Sequence, residues 1–236
     1  MTKKKKVTGG NPANRTRREG TGFEDAVMEW AEMFVHHGDN GQAKAAAAVA
    51  TWVGASDPGR TGINQCVNAC YQLQMVLDAV GVTSVLLPVT LKLLNPTSNK
   101  VLGSAGTTTP GWSDGYRFWS GHAVLYLPSQ GRILDPTIGQ AIPAGRASAR
   151  IPLMGKVTEI IRGTPDQATQ PGTRWAVARD GHVAEYQVLE PEYSPLVNAE
   201  VVKVLQSSTA GLRDRLPRIV QATNAMLTAR ENLPGF

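Results

Sequence analysis

The sequence predicts an α+β fold. Segments with helical apolar spacing stand at both ends of the chain, and the middle reads as short strands joined by hairpin-type turns. The order is helices, then antiparallel strands, then helices. The chain has 236 residues, 42% hydrophobic and 18% charged, which is enough to bury a core without disulfide or metal staples. No internal repeat and no nucleotide-binding loop interrupts this order, and no cofactor is expected.

Charge separates the start of the chain from the rest. Residues 1–20 hold seven basic groups and one acid, and the other 216 residues hold 17 basic and 18 acidic groups. The net charge of +5 therefore belongs to the leader. The expectation is a solvated, disordered basic leader over 1–20. The sharper alternative is an arm that touches nucleic acid or another polyanion. No aromatic residue interleaves its charges, so base stacking has no support. Lys3, Lys4, Lys5 and Lys6 are followed by polar sequence, which excludes a conventional secretory signal, and no stretch approaches the ~20 apolar residues of a membrane span. A cytoplasmic protein is expected. The body then divides into a domain over 21–194 and C-terminal helices over 195–236, packed on that domain or extending it.

Thr21-Gly22-Phe23-Glu24 has the spacing of a capping box, so a helix is expected from about Phe23 to His37. Its apolar side is Phe23, Val27, Trp30 and Phe34, with Ala26 and Met33 beside them. His36 and His37 meet the negative end of the helix dipole. Gly38-Asp39-Asn40-Gly41 ends it. Gln42 to Val53 is alanine-rich and reads as a second helix, with Trp52 in the core. Gly54 to Gly62 is a loop.

The third helix starts near Asn64, a candidate N-cap. Cys66, Ala69, Cys70, Leu73, Val76, Leu77 and Val80 form its apolar stripe, and Gly81 closes it. Val82 to Leu94 reads as a strand, and Pro88 within it predicts an edge position or a break. Asn95 to Gly115 is rich in Gly, Pro, Ser and Thr and reads as one long loop. Ala123–Leu127 and Arg132–Leu134 are strands around a turn at 128–131. Residues 136–172 read as irregular, with a short apolar piece near Val157–Ile161. Arg174–Ala178 and Val183–Leu189 flank Asp180-Gly181, a hairpin turn. From Pro195 the chain is helical again: Val197, Val201, Val204 and Leu205 mark one helix. Leu212, Leu216, Ile219, Val220 and Leu227 mark another, with Pro217 in its first turns.

Three of these positions carry chemistry. Cys66 sits at a helix start, where the dipole favours thiolate and a free backbone N–H can stabilise an oxyanion. His122 opens a strand and Asp135 closes the next. A four-residue turn between those strands sets Asp135 opposite Val124, diagonal to His122 on one face. A two-residue turn sets it directly opposite His122. Either way the acid can fix the imidazole tautomer that faces the cysteine, in a nucleophile, base and orienter arrangement. Taken singly, each residue has an ordinary reading: Cys66 and Cys70 as small core groups, His122 as a strand-start residue, and Asp135-Pro136-Thr137 as a turn.

Asn64-Gln65-Cys66 with Ala69, Leu73, Leu77 and Gly81-Val82 resembles the nucleophile helix of the transglutaminase-like cysteine enzymes. Trp119-Ser120-Gly121-His122-Ala123-Val124 resembles that superfamily's histidine strand, and Leu134-Asp135-Pro136-Thr137 its acid motif. The resemblance spans about Gly62 to Gln140. It departs at Asn64, where glycine is common, and at Val67, where many members carry Trp. No loop has calcium-ligand spacing. The resemblance implies a papain-like α+β core over 21–194 and a Cys66–His122–Asp135 triad. It also implies thiol acyl transfer on an amide or ester carbonyl of a protein or peptide, as a peptidase, deamidase or transglutaminase. Gln65, Trp119 and Trp112 are then candidates to line the oxyanion or substrate side, with core packing or loop anchoring as the other reading of the tryptophans. Two further classes stay open: a catalytically inactive binding or assembly module with a polyanion-binding tail, and a zinc site from Cys66, Cys70, His122 and His182.

Overall fold

The computed structural model describes residues 12–55, 66–114, 118–141, 152–156, 159–162, 167–179 and 181–232. It is a mixed helical and antiparallel-sheet structure, as the α+β expectation requires. Among the described residues no helix is long and apolar enough to cross a membrane.

Helix α1 spans Pro12–His37, so it begins well before Phe23. The boundary expected at residue 20 falls inside it, and so does the Thr21–Glu24 box, which therefore does not cap a helix start. A proline at the first helical position fits, because its fixed φ suits the helix and its missing N–H is not needed there. Val27, Ala31 and Val35 are the buried stripe of α1, with Phe23, Trp30 and Phe34 packed beside them, while Met33 is exposed. Helix α2, Asn40–Ala55, follows after two residues, and Asp39 caps it by accepting the Gln42 N–H at 2.9 Å. Its alanines are buried on nearly every side because α1 and α5 (Ala210–Glu231) pack closely on it. Trp52 lies in this core, its indole N–H reaching Gln72 at 3.2 Å.

Helix α3, Cys66–Ala79, ends in a Schellman motif. Gly81 takes φ +76°, its N–H bonds Asp78 O, and the Val82 N–H bonds Leu77 O. The Asn64 cap and Gln65 lie outside the described residues.

The large sheet follows the order β7-β6-β5-β1-β10-β9-β8, with β2 also on β1. Its strands are β1 (Val85–Leu94), β2 (Val101–Ala105), β5 (His122–Leu127), β6 (Arg132–Asp135), β7 (Leu153–Lys156), β8 (Glu159–Arg162), β9 (Arg174–Arg179) and β10 (His182–Val188). The short strands β3 (Trp112–Ser113) and β4 (Phe118–Trp119) pair separately.

Four expectations change here. Strand β1 is central rather than an edge: β5 pairs with its first half, β2 with its second, and β10 runs along its other side. Pro88 is tolerated because its carbonyl faces Leu189 N, one residue beyond the start of the β10 ladder at Val89. The missing N–H therefore falls outside that ladder. Residues 95–115 are not one loop. Asn95 folds the chain back by accepting the Thr97 and Ser98 N–H groups, and β2 returns along β1. Residues 136–172 supply two strands, β7 and β8, that extend the sheet at its two ends. Helix α4, Ala199–Ser208, buries Val201 and Leu205 and leaves Val204 exposed, with Val197 exposed in the 3₁₀ turn before it. In α5, Pro217 sits two turns from the start, within the first turns as expected.

The two faces of the sheet hold separate cores. Ala123, Leu125, Leu127 and Leu134 pack outward with α1, α2, α3 and α5. Val89, Leu91, Val124, Ile133, Trp175, Val177, Tyr186 and Val188 pack together on the other face. Strand β7 contacts β9 although they lie far apart in the ladder order, so the sheet curls on itself around this second core.

Candidate active site

The position of the nucleophile candidate follows from matching two repeats. One turn of α3 rises about 5.4 Å, and two residues of strand rise about 6.8 Å. With α3 laid against β5, cysteines one turn apart meet carbonyls two residues apart. Cys66 Sγ is 3.9 Å from Gly121 O, and Cys70 Sγ donates to Ala123 O at 3.3 Å. Cys66 is thus held at the first residue of α3, beside the residue that precedes His122. Both thiols are buried, so exposure does not distinguish them.

The β5–β6 connection settles the register. A 3₁₀ turn at Pro128–Gln130 and Gly131 at φ +56° pair Leu125 with Leu134 and Leu127 with Arg132. That is the four-residue-turn geometry, with His122 and Asp135 diagonal on one face. Their side chains meet: His122 Nε2 donates to Asp135 Oδ2 at 2.8 Å, and both residues are fully buried. The other carboxylate oxygen accepts the Thr137 N–H at 2.9 Å and the Thr137 hydroxyl at 3.4 Å, so Asp135-Pro136-Thr137 is a turn as well as a site. Tyr186, from β10, donates its hydroxyl to Asp135 Oδ2 at 3.0 Å. Sequence reading missed Tyr186. Its alternation with Ala184 and Val188 marks an inward position, but only the β1–β10 pairing brings it to the acid.

Burial works against a charged His122, yet the Asp135 charge and hydrogen bond outweigh it, and Cys66 adds to them by hydrogen bonding and charge. The imidazole pKa rises from 6.5 to about 10. With Nε2 committed to Asp135, Nδ1 is the nitrogen left for Cys66, and it has no partner of ordinary hydrogen-bond geometry. Cys70 behaves differently: burial, then the charges of Cys66 and Asp135, push its thiol well above the usual range.

The surrounding chain is strapped tightly to His122. Gly106, at φ +77°, has no room for a side chain: a Cβ there would lie 2.8 Å from His122 N and 2.9 Å from Val89 O. Thr107 N bonds Ser120 O, and Ser120 N bonds Gly111 O. Trp112 and Trp119 stack on each other at 6.1 Å across β3–β4. Trp119 is buried in the helix-side core, over Gly121, which fits its anchoring reading. Among the described residues no three His, Cys, Asp or Glu side chains form a group able to hold a metal, and the zinc reading has no site there. No protein-family model, curated protein or solved structure matches the chain.

Proposed function

We propose that this protein is a thiol-dependent acyl-transfer enzyme of the transglutaminase-like type, built on a papain-like core. The observation that carries the reading is the buried His122–Asp135 pair, with the second imidazole nitrogen left to a cysteine at the first residue of a helix. A nucleophile helix packed on an antiparallel sheet, with the histidine and the acid on paired strands, supports the same core.

In this reading the Cys66 thiolate attacks an amide or ester carbonyl of a protein or peptide, and a C–S bond forms as the carbonyl oxygen becomes an oxyanion. The Cys66 N–H, free of an intrahelical partner in the first turn of α3, is a donor for that oxygen. The His122 imidazolium gives its Nδ1 proton to the departing amine or alcohol, leaving a thioester. Water or an amine, deprotonated at the same nitrogen, then attacks the thioester and restores Cys66. Water makes the enzyme a peptidase or deamidase, and an amine makes it a transglutaminase. Asp135 holds the tautomer and orientation throughout.

The test is acylation of native protein by a thiol-directed acyl probe, read by mass spectrometry, beside assays of peptide hydrolysis and amine incorporation. Stable modification at Cys66 that disappears in His122→Ala is the expected result. A folded protein that acylates nowhere overturns the proposal. One observation favours a second reading, an inactive assembly module: Cys66 is 2% exposed and His122 not at all. In that case acylation fails, and residues 1–20 confer salt-sensitive binding to nucleic acid, lost when residues 1–20 are removed.

A further inference from the structure

We infer that Tyr186 is a positioning residue of the His122–Asp135 pair: its hydroxyl fixes the carboxylate oxygen that holds the imidazole. The inference rests on the acyl-transfer reading only in treating that pair as machinery; the hydrogen bonds themselves do not depend on it.

Asp135 Oδ2 serves two donors at once, His122 Nε2 at 2.8 Å and the Tyr186 hydroxyl at 3.0 Å. Its other oxygen is tied locally, by Thr137 two residues on. The Thr137 bonds come from the same turn as Asp135 and move with it. Tyr186 comes from β10, separated from β5 by β1, so its hydroxyl ties the carboxylate to a strand beyond the neighbours of β6. The phenol is itself immobile. It is fully buried, and Trp175, its partner across the β9–β10 ladder, lies against it with ring centroids 6.4 Å apart; Tyr126 stacks on Trp175 in turn, at 5.9 Å. Away from water, a carboxylate oxygen with one donor removed is less well satisfied and less firmly held, and so is the imidazole bound to it. A ring held between strands and packed against an indole is a fixed donor that costs little further entropy.

The consequence lies in the Nε2 proton. A proton shared between a buried imidazole and carboxylate gives an NMR signal downfield of the amide region, and it exchanges with water only when the pair opens. Tyr186→Phe keeps the ring and deletes the donor. It should move this signal and speed its exchange by about tenfold, the effect of losing one hydrogen bond to a charged group. Backbone amides of β5 and β10 should keep their rates, which separates positioning from general loosening. Replacing tyrosine with 3-fluorotyrosine strengthens the donor with little change of shape. It should move the signal in the sense opposite to Tyr186→Phe, and it serves as the test if the phenylalanine variant folds poorly. An unmoved signal with unchanged exchange, or amide rates that rise in step with it, overturns the inference. Failure of acyl transfer reads separately: Cys66 then takes no acyl group while the Nε2 signal and its dependence on Tyr186 persist.

Discussion

Cys66 and Cys70 are the same residue one helical turn apart, and their neighbours give them different chemistry. Cys70 is sealed against Ala123 O, and burial together with the charges of Cys66 and Asp135 keeps it protonated. Cys66 stands at the helix start beside an imidazole whose pKa is raised to about 10. Brief iodoacetamide treatment at neutral pH should therefore alkylate Cys66 and spare Cys70, as peptide mass spectrometry would show. Cys70→Ala should keep that reactivity and cost about 1–2 kcal/mol as a small core deletion. On an amide or ester substrate, Cys66→Ala should abolish turnover and His122→Ala should lower it by about 10²–10⁴-fold. Asp135→Asn should have a comparable or milder effect, because the acid orients and stabilises rather than reacts. The raised pKa of His122 also ties stability to pH. The folded state binds this proton more tightly than the unfolded chain does, so the stabilisation is complete below about pH 6.5 and is lost as pH climbs toward 10. Thermal melts should fall by roughly 5 °C or more across that window in the wild type and stay flatter in His122→Gln.

At the scale of elements, two glycines with similar φ angles should respond very differently to substitution. Gly81 closes α3 in open space, with nothing near the place a Cβ would occupy. Gly81→Ala should cost about 1 kcal/mol, from backbone strain alone, and leave Cys66 reactive. Gly106 has the same left-handed φ but touches the backbone of both His122 and Val89. Gly106→Ala should cost about 2–3 kcal/mol or more and slow Cys66 alkylation, since β2 would have to lift from the start of β5. Denaturant titration of both variants, with alkylation rates, checks the contrast. Local signals located the C-terminal end of α3 and the β9–β10 hairpin well, because Gly81 and Gly181 act through their own backbones. They failed at Pro88. A proline argues against a central strand, yet here the missing donor falls beyond the end of a ladder that only the pairing defines.

Over the whole molecule, the curl of the sheet brings β7 against β9. Gly155 is the contact point: a Cβ there would lie 2.1 Å from Val177 Cγ1. Gly155→Ala should overpack the inner core and cost about 1–3 kcal/mol, and Val177→Ala in the same chain should recover part of that loss. Equilibrium unfolding of the two single variants and the double variant measures the coupling. Additive losses would show that the two strands do not press on each other.

The sequence by itself determined the α+β composition, the helix carrying Cys66, the strands carrying His122 and Asp135, and the short list of residues with chemistry to offer. Those follow from periodicity, cap residues and turn residues, which act over a few positions. It left the turn between β5 and β6 open between two registers, and the folded chain took the diagonal one. Tertiary structure alone decided that β1 is central, that residues 95–115 and 136–172 contribute strands, and that Val197, Val204 and Met33 face out. It also decided that Tyr186 reaches Asp135. The reason is common to all of these: strand partners are chosen by contacts between residues far apart in the chain, and a short apolar or polar run looks the same whether or not a distant strand lies beside it.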